Sequence, residues 1–226
     1  MTNIKKALLL IGSPKGEKST SASLGNYLIS KLEEFGMKIE KGYIYRLVTR
    51  EETIPNLLQM INSSDLIILS FPLYIDCLPA LVIKAMEIIK IERDNSKSDR
   101  NQTLIAISNN GFPETSQNMT ALQICKIFSK DCGFAWKGGI AVGGGGVING
   151  RPLKERGGVV RNIVKGLDIA AQALVDGKDI PQEAIDLISK QMIPGALYRF
   201  FGNFGWKVQA RRYGVKKKLN DKPYSP

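Results

Sequence analysis

The stretch GSPKGEKST, residues 12–20, carries most of the phosphate-loop pattern of nucleoside triphosphatases, G-x-x-x-x-G-K-[ST]. In that loop the second glycine lets the backbone wrap closely around the phosphates, but here Glu17 would place a side chain and a negative charge there. The partner strand should also end in an acidic residue that holds Mg²⁺, whereas Asp65 precedes its strand and the strand ends in Phe71-Pro72. The sequence therefore argues against a nucleoside-triphosphate site.

What remains of this stretch is a hydrophobic run, a sharp turn and a helix start that is rich in hydroxyl groups. The free N–H groups and the positive dipole end of a helix start favour an anion, and Lys15 or Lys18 adds charge at the rim. One hydroxyl suffices to cap a helix, but five are present: Ser13, Ser19, Thr20, Ser21 and Ser23. We predict a metal-free site for one phosphate monoester, with plain helix capping as the alternative.

Five apolar runs predict β-strands, and each is followed by a segment with helical spacing of its apolar residues. The predicted strand segments are 6–13, 38–47, 65–74, 102–111 and 134–146. This alternation predicts a doubly wound α/β domain with a parallel sheet and helices on both faces. Three strand ends with unusual residues, 12–20, 72–79 and 109–114, should then meet at the carboxyl edge of the sheet and form a site.

The composition removes several classes of enzyme. The 226 residues include no histidine, which excludes Ser-His-Asp and Cys-His hydrolases and histidine-ligated metals. The three cysteines, Cys77, Cys125 and Cys132, are scattered and suggest neither disulfides nor a zinc or iron–sulfur site. Chemistry must therefore come from a cofactor or from carboxylates, Lys, Tyr or Cys.

Three segments together, GSPKGEKSTSAS, SFPLYIDCLPA and NNGFPE, resemble the flavodoxin-like NAD(P)H-dependent FMN reductases. Their order and their attachment to the first, third and fourth predicted strands agree with that family over about residues 4–175. The resemblance implies a flavodoxin-like five-stranded sheet that holds the FMN phosphate in the first loop and the isoalloxazine ring in the other two. The cofactor-binding residues that we predict are Ser13, Lys15, Ser19, Thr20, Ser21, Ser23, Pro72, Leu73, Tyr74, Ile75, Asn109, Asn110, Gly111 and Phe112.

The residue types of the second loop suit a ring site. Pro72 and Pro79 stiffen the loop, and Leu73 and Tyr74 offer apolar and aromatic surface to a flat ring. Backbone N–H groups of residues 74–77 are candidates to bond the ring nitrogens and oxygens. The alternative is a rigid turn with Tyr74 packed on its own core.

The third loop offers the amides of Asn109 and Asn110, the permissive Gly111, and Phe112 as a wall; the alternative is a turn into the next helix. The glycine run 143–146 lacks the context of a dinucleotide fingerprint. We expect it to be a flexible connection that borders the site, and we assign it no ligand.

The resemblance implies a ping-pong oxidoreductase in which NAD(P)H gives hydride to bound FMN and a small acceptor then takes the electrons. It implies no catalytic side chain and no metal, and a homodimer is common in the family. The alternative is a non-enzymatic flavodoxin-like electron carrier or a flavin-binding protein at a membrane or partner surface. Such carriers tend to be acidic, whereas this chain has a formal net charge of +11.

Residues 192–226 differ in character from the predicted domain, residues 1–191. They hold eight Lys or Arg against one acidic residue, and apolar residues share one predicted helical face: Leu197, Phe200, Phe201, Phe204 and Val208. We expect a helix followed by a solvated or disordered end. It could dock on its own domain or a sister subunit, which we favour, or lie on an anionic membrane. Nucleic acid is not an expected partner because no recognition motif is present.

No stretch approaches the roughly 20 apolar residues of a membrane-spanning helix. The apolar run near the start is short and lacks a cleavage site, so we interpret it as a strand and expect a cytoplasmic protein.

Overall fold

A single parallel sheet organises the computed structural model, which describes residues 5–96 and 101–221. The five strands in these residues are β1 (Lys6–Ile11), β2 (Lys38–Tyr43), β3 (Leu66–Pro72), β4 (Thr103–Asn109) and β5 (Ala135–Val142). Their order is β2-β1-β3-β4-β5, so the winding direction changes between β1 and β3. Ligands of open parallel sheets bind outside the carboxyl ends of the strands at such a switch point. The predicted α/β fold is confirmed.

Helices cover both faces of the sheet, as the side chains of β1 show. Ala7, Leu9 and Ile11 pack in one core with α1 and α7, whereas Leu8 and Leu10 pack in a second core with α3, α4 and α5. Because both faces are buried, the central strands β1 and β3 are almost continuously apolar, whereas the edge strand β2 is not. The helices are α1 (Thr20–Glu34), α2 (Ile44–Leu47), α3 (Ile54–Asn62), α4 (Ala80–Asn95), α5 (Met119–Asp131), α6 (Gly145–Ile148), α7 (Arg161–Val175), α8 (Gln182–Ile188) and α9 (Gly195–Arg212).

The second strand is shorter than the sequence predicted. It pairs with β1 up to the partners Ile11 and Tyr43, and the chain then forms α2 instead of continuing to Leu47. Because β1 ends at Ile11 and turns at Gly12, residues beyond Tyr43 have no strand beside them to pair with. The prediction of a strand over 44–47 was wrong for this reason.

The chain divides into two compact units, Met1–Met192 and Ile193–Pro226. The second unit contains α9 and a 3₁₀ turn at Lys216–Lys218, within the stretch that we expected to be solvated or disordered. The last residues of that prediction, 222–226, lie outside the described part of the chain. In the described residues, no helix combines the length and apolar character that a membrane crossing requires.

Candidate functional site

A cavity of about 200 Å³ lies at the carboxyl edge of the sheet, where the loops after β1, β3, β4 and β5 meet. It brings together eleven of the fourteen predicted residues, whereas Ser23, Ile75 and Phe112 are outside its lining. Its lining consists of Ser13, Lys15, Lys18, Ser19, Thr20, Ser21, Pro72, Leu73, Tyr74, Asn109, Asn110, Gly111, Gly145, Gly146, Asn149 and Gly150. The convergence of the three predicted loops is therefore a feature of the structure.

One end of this cavity is the start of α1. The chain leaves β1 at Gly12, where a Cβ would lie 2.4 Å from Val82 Cγ2, so only glycine allows this close approach. Ser19 caps the helix, since its Oγ accepts a hydrogen bond from Ala22 N at 3.0 Å. The first turn of α1 includes the lining residues Thr20 and Ser21. It therefore brings backbone N–H groups and the positive dipole end of the helix to the cavity.

The hydroxyl groups at this end differ in how they are already bonded. Ser19 donates to Gly16 O at 2.6 Å, Thr20 donates to Gly145 O at 2.9 Å and Ser23 donates to Ser19 O at 3.2 Å. The surplus of hydroxyls beyond capping is therefore smaller than the sequence indicated. The two others act as acceptors in the described residues, Ser21 from Asn109 Nδ2 at 2.8 Å and Ser13 from Lys15 N at 3.4 Å. Ser13 and Ser21 thus keep a proton that can be donated to a ligand.

Charge at the mouth of the cavity is positive. Lys15 and Lys18 are exposed and belong to its lining, whereas Glu17 does not. The carboxylate of Glu17 accepts a hydrogen bond from Tyr43 Oη at 2.7 Å on the outer side of the loop. Burial and this hydrogen bond raise the pKa of Tyr43 to about 12. Glu17, which breaks the triphosphate pattern, is therefore bonded to Tyr43 of the edge strand β2, and it does not line the cavity.

The second loop forms a tight turn over Tyr74–Cys77. Tyr74 N donates to Cys77 O at 2.9 Å and Cys77 N donates to Tyr74 O at 3.1 Å, so these two N–H groups serve the turn. Of the four N–H groups in residues 74–77 that we named as candidates to bond a ring, two are therefore used by the turn itself. The central residues Ile75 and Asp76 have φ of 48° and 59°, the positive values that type I′ turns require.

A positive φ is unfavourable for a β-branched residue, so Ile75 is held in a strained conformation. Its side chain is 99% exposed and does not line the cavity, although we predicted it as a site residue. Tyr74, which is 46% exposed, does line the cavity together with Pro72 and Leu73. These three residues supply the apolar and aromatic surface of this end.

The third loop is fixed by two buried asparagines. Asn109 Nδ2 donates to Ser21 Oγ at 2.8 Å and to Phe71 O at 3.0 Å, which ties β4 to the start of α1 and to β3. Asn110 Nδ2 donates to Glu114 O at 2.8 Å, but its Oδ1 is buried without a hydrogen-bond partner in the described residues. A buried acceptor without a partner is costly and is expected to receive a donor from a ligand or water.

The other two predicted site residues of the third loop, Gly111 and Phe112, differ in their relation to the cavity. A Cβ at Gly111 would meet no protein atom within 4 Å, so packing of the chain does not require glycine there. Phe112 is 57% exposed and lies outside the lining, so it does not form the wall that we predicted.

The segment 143–150 forms a fourth wall; we expected residues 143–146 to border the site, as they do, but named no site residue in this segment. Gly144 N donates to Phe112 O at 2.6 Å and Gly145 N donates to Asn110 O at 2.8 Å, so the segment is fastened to the third loop. Gly150 has φ of 69°, and a Cβ there would lie 2.3 Å from Lys18 O. The run of glycines after the fifth predicted strand was the available signal, because it follows a strand at the same edge.

Comparison with solved structures gives matches that cover three quarters or more of this chain. The fold is similar to that of an FMN-dependent NADH-azoreductase from Bacillus anthracis str. Ames Ancestor in complex with FMN, at a TM-score of 0.58 and 15% identity, covering 76% of this chain and 100% of that chain. A flavone reductase matches at a TM-score of 0.57 and 10% identity, covering 98% and 99%. A flavodoxin from Streptococcus pneumonia TIGR4 matches at a TM-score of 0.50 and 14% identity, covering 76% and 99%.

No protein-family model and no curated protein matches the chain. At 10–15% identity, the structural matches establish the fold and leave the activity to be argued from the site. The resemblance drawn from the three loop segments is thereby confirmed at the level of the fold: the chain has the flavodoxin-like fold, as do an FMN-dependent azoreductase and a flavodoxin.

Proposed function

We propose that the protein binds FMN in the cavity at the carboxyl edge and acts as an NAD(P)H-dependent reductase of a small acceptor. The observation that carries the proposal is the cavity itself, whose lining combines the start of α1 and two exposed lysines with apolar and aromatic side chains of the second loop. This combination suits a ligand with an anionic end and a flat, hydrogen-bonding ring.

The start of α1 suits the phosphate of such a ligand. Thr20 and Ser21 present first-turn N–H groups, Ser13 and Ser21 retain donatable hydroxyl protons, and the lysines at the mouth add positive charge. No divalent cation is needed, because a monoester dianion is matched by neutral donors, a helix dipole and Lys15 and Lys18. We assign the phosphate to this end of the cavity.

The opposite end suits the ring. Leu73 and Tyr74 offer apolar and aromatic contact to a flat ring, and Asn110 and Gly111 belong to the same lining. The N–H groups of Ile75 and Asp76 stand at the tip of the turn, outside the pair of hydrogen bonds that closes it. These groups would hold and orient the ring.

Bound FMN would supply the redox chemistry, by taking hydride from NAD(P)H and passing electrons to an acceptor. The residues of the chain bind and orient the cofactor, and no side chain needs to act as a general base, which agrees with a chain that has no histidine. Tyr74 and Gly111 are exposed at the cavity, so a second molecule has access to this end. We propose free flavin, a quinone, or an azo or nitro compound as the acceptor class, and a cytoplasmic homodimer as the working form.

A second candidate is an electron carrier that binds FMN without taking hydride directly. The match to a flavodoxin favours it, because the same fold serves such a protein. The net charge of +11 argues against it, since carriers of this kind tend to be acidic.

Anaerobic mixing of the FMN-loaded protein with NADH, and separately with NADPH, distinguishes the two candidates. A reductase bleaches the flavin absorption within seconds, whereas a carrier leaves it unchanged with both donors. Free FMN at the same concentration is the control for the uncatalysed reaction. Bleaching by chemical reductant but by neither nicotinamide would overturn the reductase proposal while leaving flavin binding intact.

A further inference from the structure

The C-terminal unit carries an exposed apolar stripe on α9. Five side chains recur at helical spacing along one face of the helix and are each between 47% and 65% exposed: Leu197, Phe200, Phe201, Phe204 and Val208. Exposed apolar residues are common singly, but a contiguous row of aromatic side chains marks a surface that contacts something else.

This unit has no means of covering the stripe by itself. Residues 193–221, as described, contain one helix and one 3₁₀ turn, so they include no second layer against which a helix face could be buried. A segment of this size is also far below the length at which a chain forms its own core. The stripe therefore requires a surface from outside the unit.

The charge of the segment indicates which kind of surface fits. Basic residues continue the face of the stripe at its C-terminal end, at Lys207, Arg211 and Arg212, and a further group follows at Lys216–Lys218. Residues 192–226 have eight basic residues against Asp221 alone and therefore a net charge of +7. The remainder of the chain has a net charge of +4, the same sign, so neither its own domain nor a sister copy offers overall charge complementarity.

We propose that α9 lies in the interface of an anionic lipid membrane. Its phenylalanine side chains enter the boundary between headgroups and acyl chains, and the long basic side chains reach the lipid phosphates. The inference is independent of the proposed flavin chemistry. It assigns peripheral contact only, in keeping with the finding that no described helix is suited to span a bilayer.

Another exposed aromatic residue of α9, Trp206, provides a control for substitutions in the stripe. Trp206 is 67% exposed, as much as any phenylalanine of the stripe, but it lies two positions from Phe204 and so on the opposite side of the helix. A replacement of Phe204 by Glu removes an apolar side chain from the membrane face and places a charge there. The same replacement of Trp206 removes an aromatic residue and one unit of net charge without touching the stripe.

The test is co-sedimentation of the full-length protein with vesicles of phosphatidylcholine alone or with about one third phosphatidylglycerol. We expect binding to the anionic vesicles only, weakened by added salt. Phe204→Glu should weaken partitioning by at least about tenfold, and Trp206→Glu by no more than the roughly fivefold that one unit of charge accounts for. Replacement of Lys216–Lys218 by alanine should reduce partitioning by about fivefold for each residue.

Three outcomes would overturn the proposal. One is equal recovery of the parent protein in the supernatant with and without anionic lipid. Another is a change in molar mass in solution when Phe204 is replaced by Glu and no lipid is present, since the stripe would then join copies of the chain. The last is binding to duplex DNA or RNA that competes with anionic vesicles and depends on Lys216–Lys218 but not on Phe204.

Discussion

The two ends of the cavity differ in how much of their polar chemistry the folded chain already uses. At the start of α1, Ser19, Thr20 and Ser23 donate hydrogen bonds to carbonyl groups of the protein. In the second and third loops, Asn110 Oδ1 has no partner in the described residues and Tyr74 is half-exposed, while Ile75, outside the cavity lining, has an unfavourable backbone conformation. Three of the five hydroxyls at the helix start therefore already donate within the chain, and only Ser13 and Ser21 keep a proton for a ligand.

This difference indicates that the two parts of the proposed FMN site contribute differently to FMN affinity and to protein stability. Internal hydrogen bonds fix the geometry of the phosphate end before binding, which lowers the entropy lost when the ligand is ordered. The side chain of Ile75 in the turn of the second loop is exposed and lies outside the cavity lining, so its backbone strain concerns the stability of the folded turn. We therefore expect substitutions at the phosphate end to affect affinity strongly, and substitutions in the exposed turn of the ring end to affect mainly stability.

The largest effect is expected from Gly150→Ala. Its Cβ would lie 2.3 Å from Lys18 O at a positive φ, so the loop before α1 must move. We expect FMN affinity to fall by about 3 kcal/mol, with a loss of unfolding free energy as well. Gly158→Ala is the control, since a Cβ there meets no atom within 4 Å. FMN titration gives the affinity and thermal unfolding gives the stability. If the two variants had the same FMN affinity and the same stability, the close packing of Gly150 against the loop before α1 would not matter for the site.

A smaller loss of FMN affinity is expected from a substitution at Ser21, and almost none at Ser23, although both serines lie in α1. Ser21 accepts from Asn109 and retains a proton for the phosphate, whereas the hydroxyl of Ser23 bonds back to Ser19 O and lies outside the cavity. Ser21→Ala should weaken FMN binding by about 2 kcal/mol, and Ser23→Ala by less than about 0.5 kcal/mol. Titrations of both variants with FMN provide the measurement. Losses of the same size would mean that the hydroxyls act only through helix stability.

At the ring end, Ile75→Asn should stabilise the protein. The side chain of Ile75 is 99% exposed, so little packing is lost, and asparagine tolerates a positive φ better than a β-branched residue. We expect the unfolding free energy to rise by about 1 kcal/mol in denaturant titrations, with FMN affinity nearly unchanged. Ile91→Asn, at an exposed site within α4, should give no such gain. A large loss of FMN affinity would show that Ile75 itself contacts the ring.

The smallest effect concerns the pH dependence of stability at the loop before α1. Burial and the bond to Glu17 raise the pKa of Tyr43 from 10.0 to about 12, so the unfolded chain loses this proton at lower pH than the folded one. The stabilisation is complete below pH 10 and is lost as pH rises towards 12. Against Tyr43→Phe, the parent should lose up to about 1 kcal/mol more unfolding free energy over this range. A parallel pH dependence of both proteins would exclude this pair as the cause.

The sheet and the three loops could be predicted because they depend on local patterns. Continuous apolar runs such as Leu66–Leu69 mark strands buried on both faces, and Gly-Ser-Pro and Asn-Asn-Gly mark their ends. The order of strands and helices then places the loops at one edge by the handedness of the crossovers. The order of these segments along the chain was therefore sufficient to predict that the three loops meet at one edge of the sheet.

Features that depend on a distant partner could not be predicted. The end of β2 is set by the end of β1, and the bond of Thr20 is set by Gly145, which is 125 residues away. The close approach of Gly150 to Lys18 likewise joins residues that are distant in sequence. The conformation of Ile75 runs against the preference of its residue type, so local pattern argues against it.

The most direct test of an FMN site with its phosphate at the start of α1 is a binding comparison. The purified protein is mixed with excess FMN or with excess riboflavin, desalted, and examined by visible absorption. We predict flavin bands near one equivalent after FMN and nearly none after riboflavin, because only FMN carries the phosphate. Retention of both to the same extent would contradict the assignment of the phosphate, and retention of neither would contradict the flavin site itself.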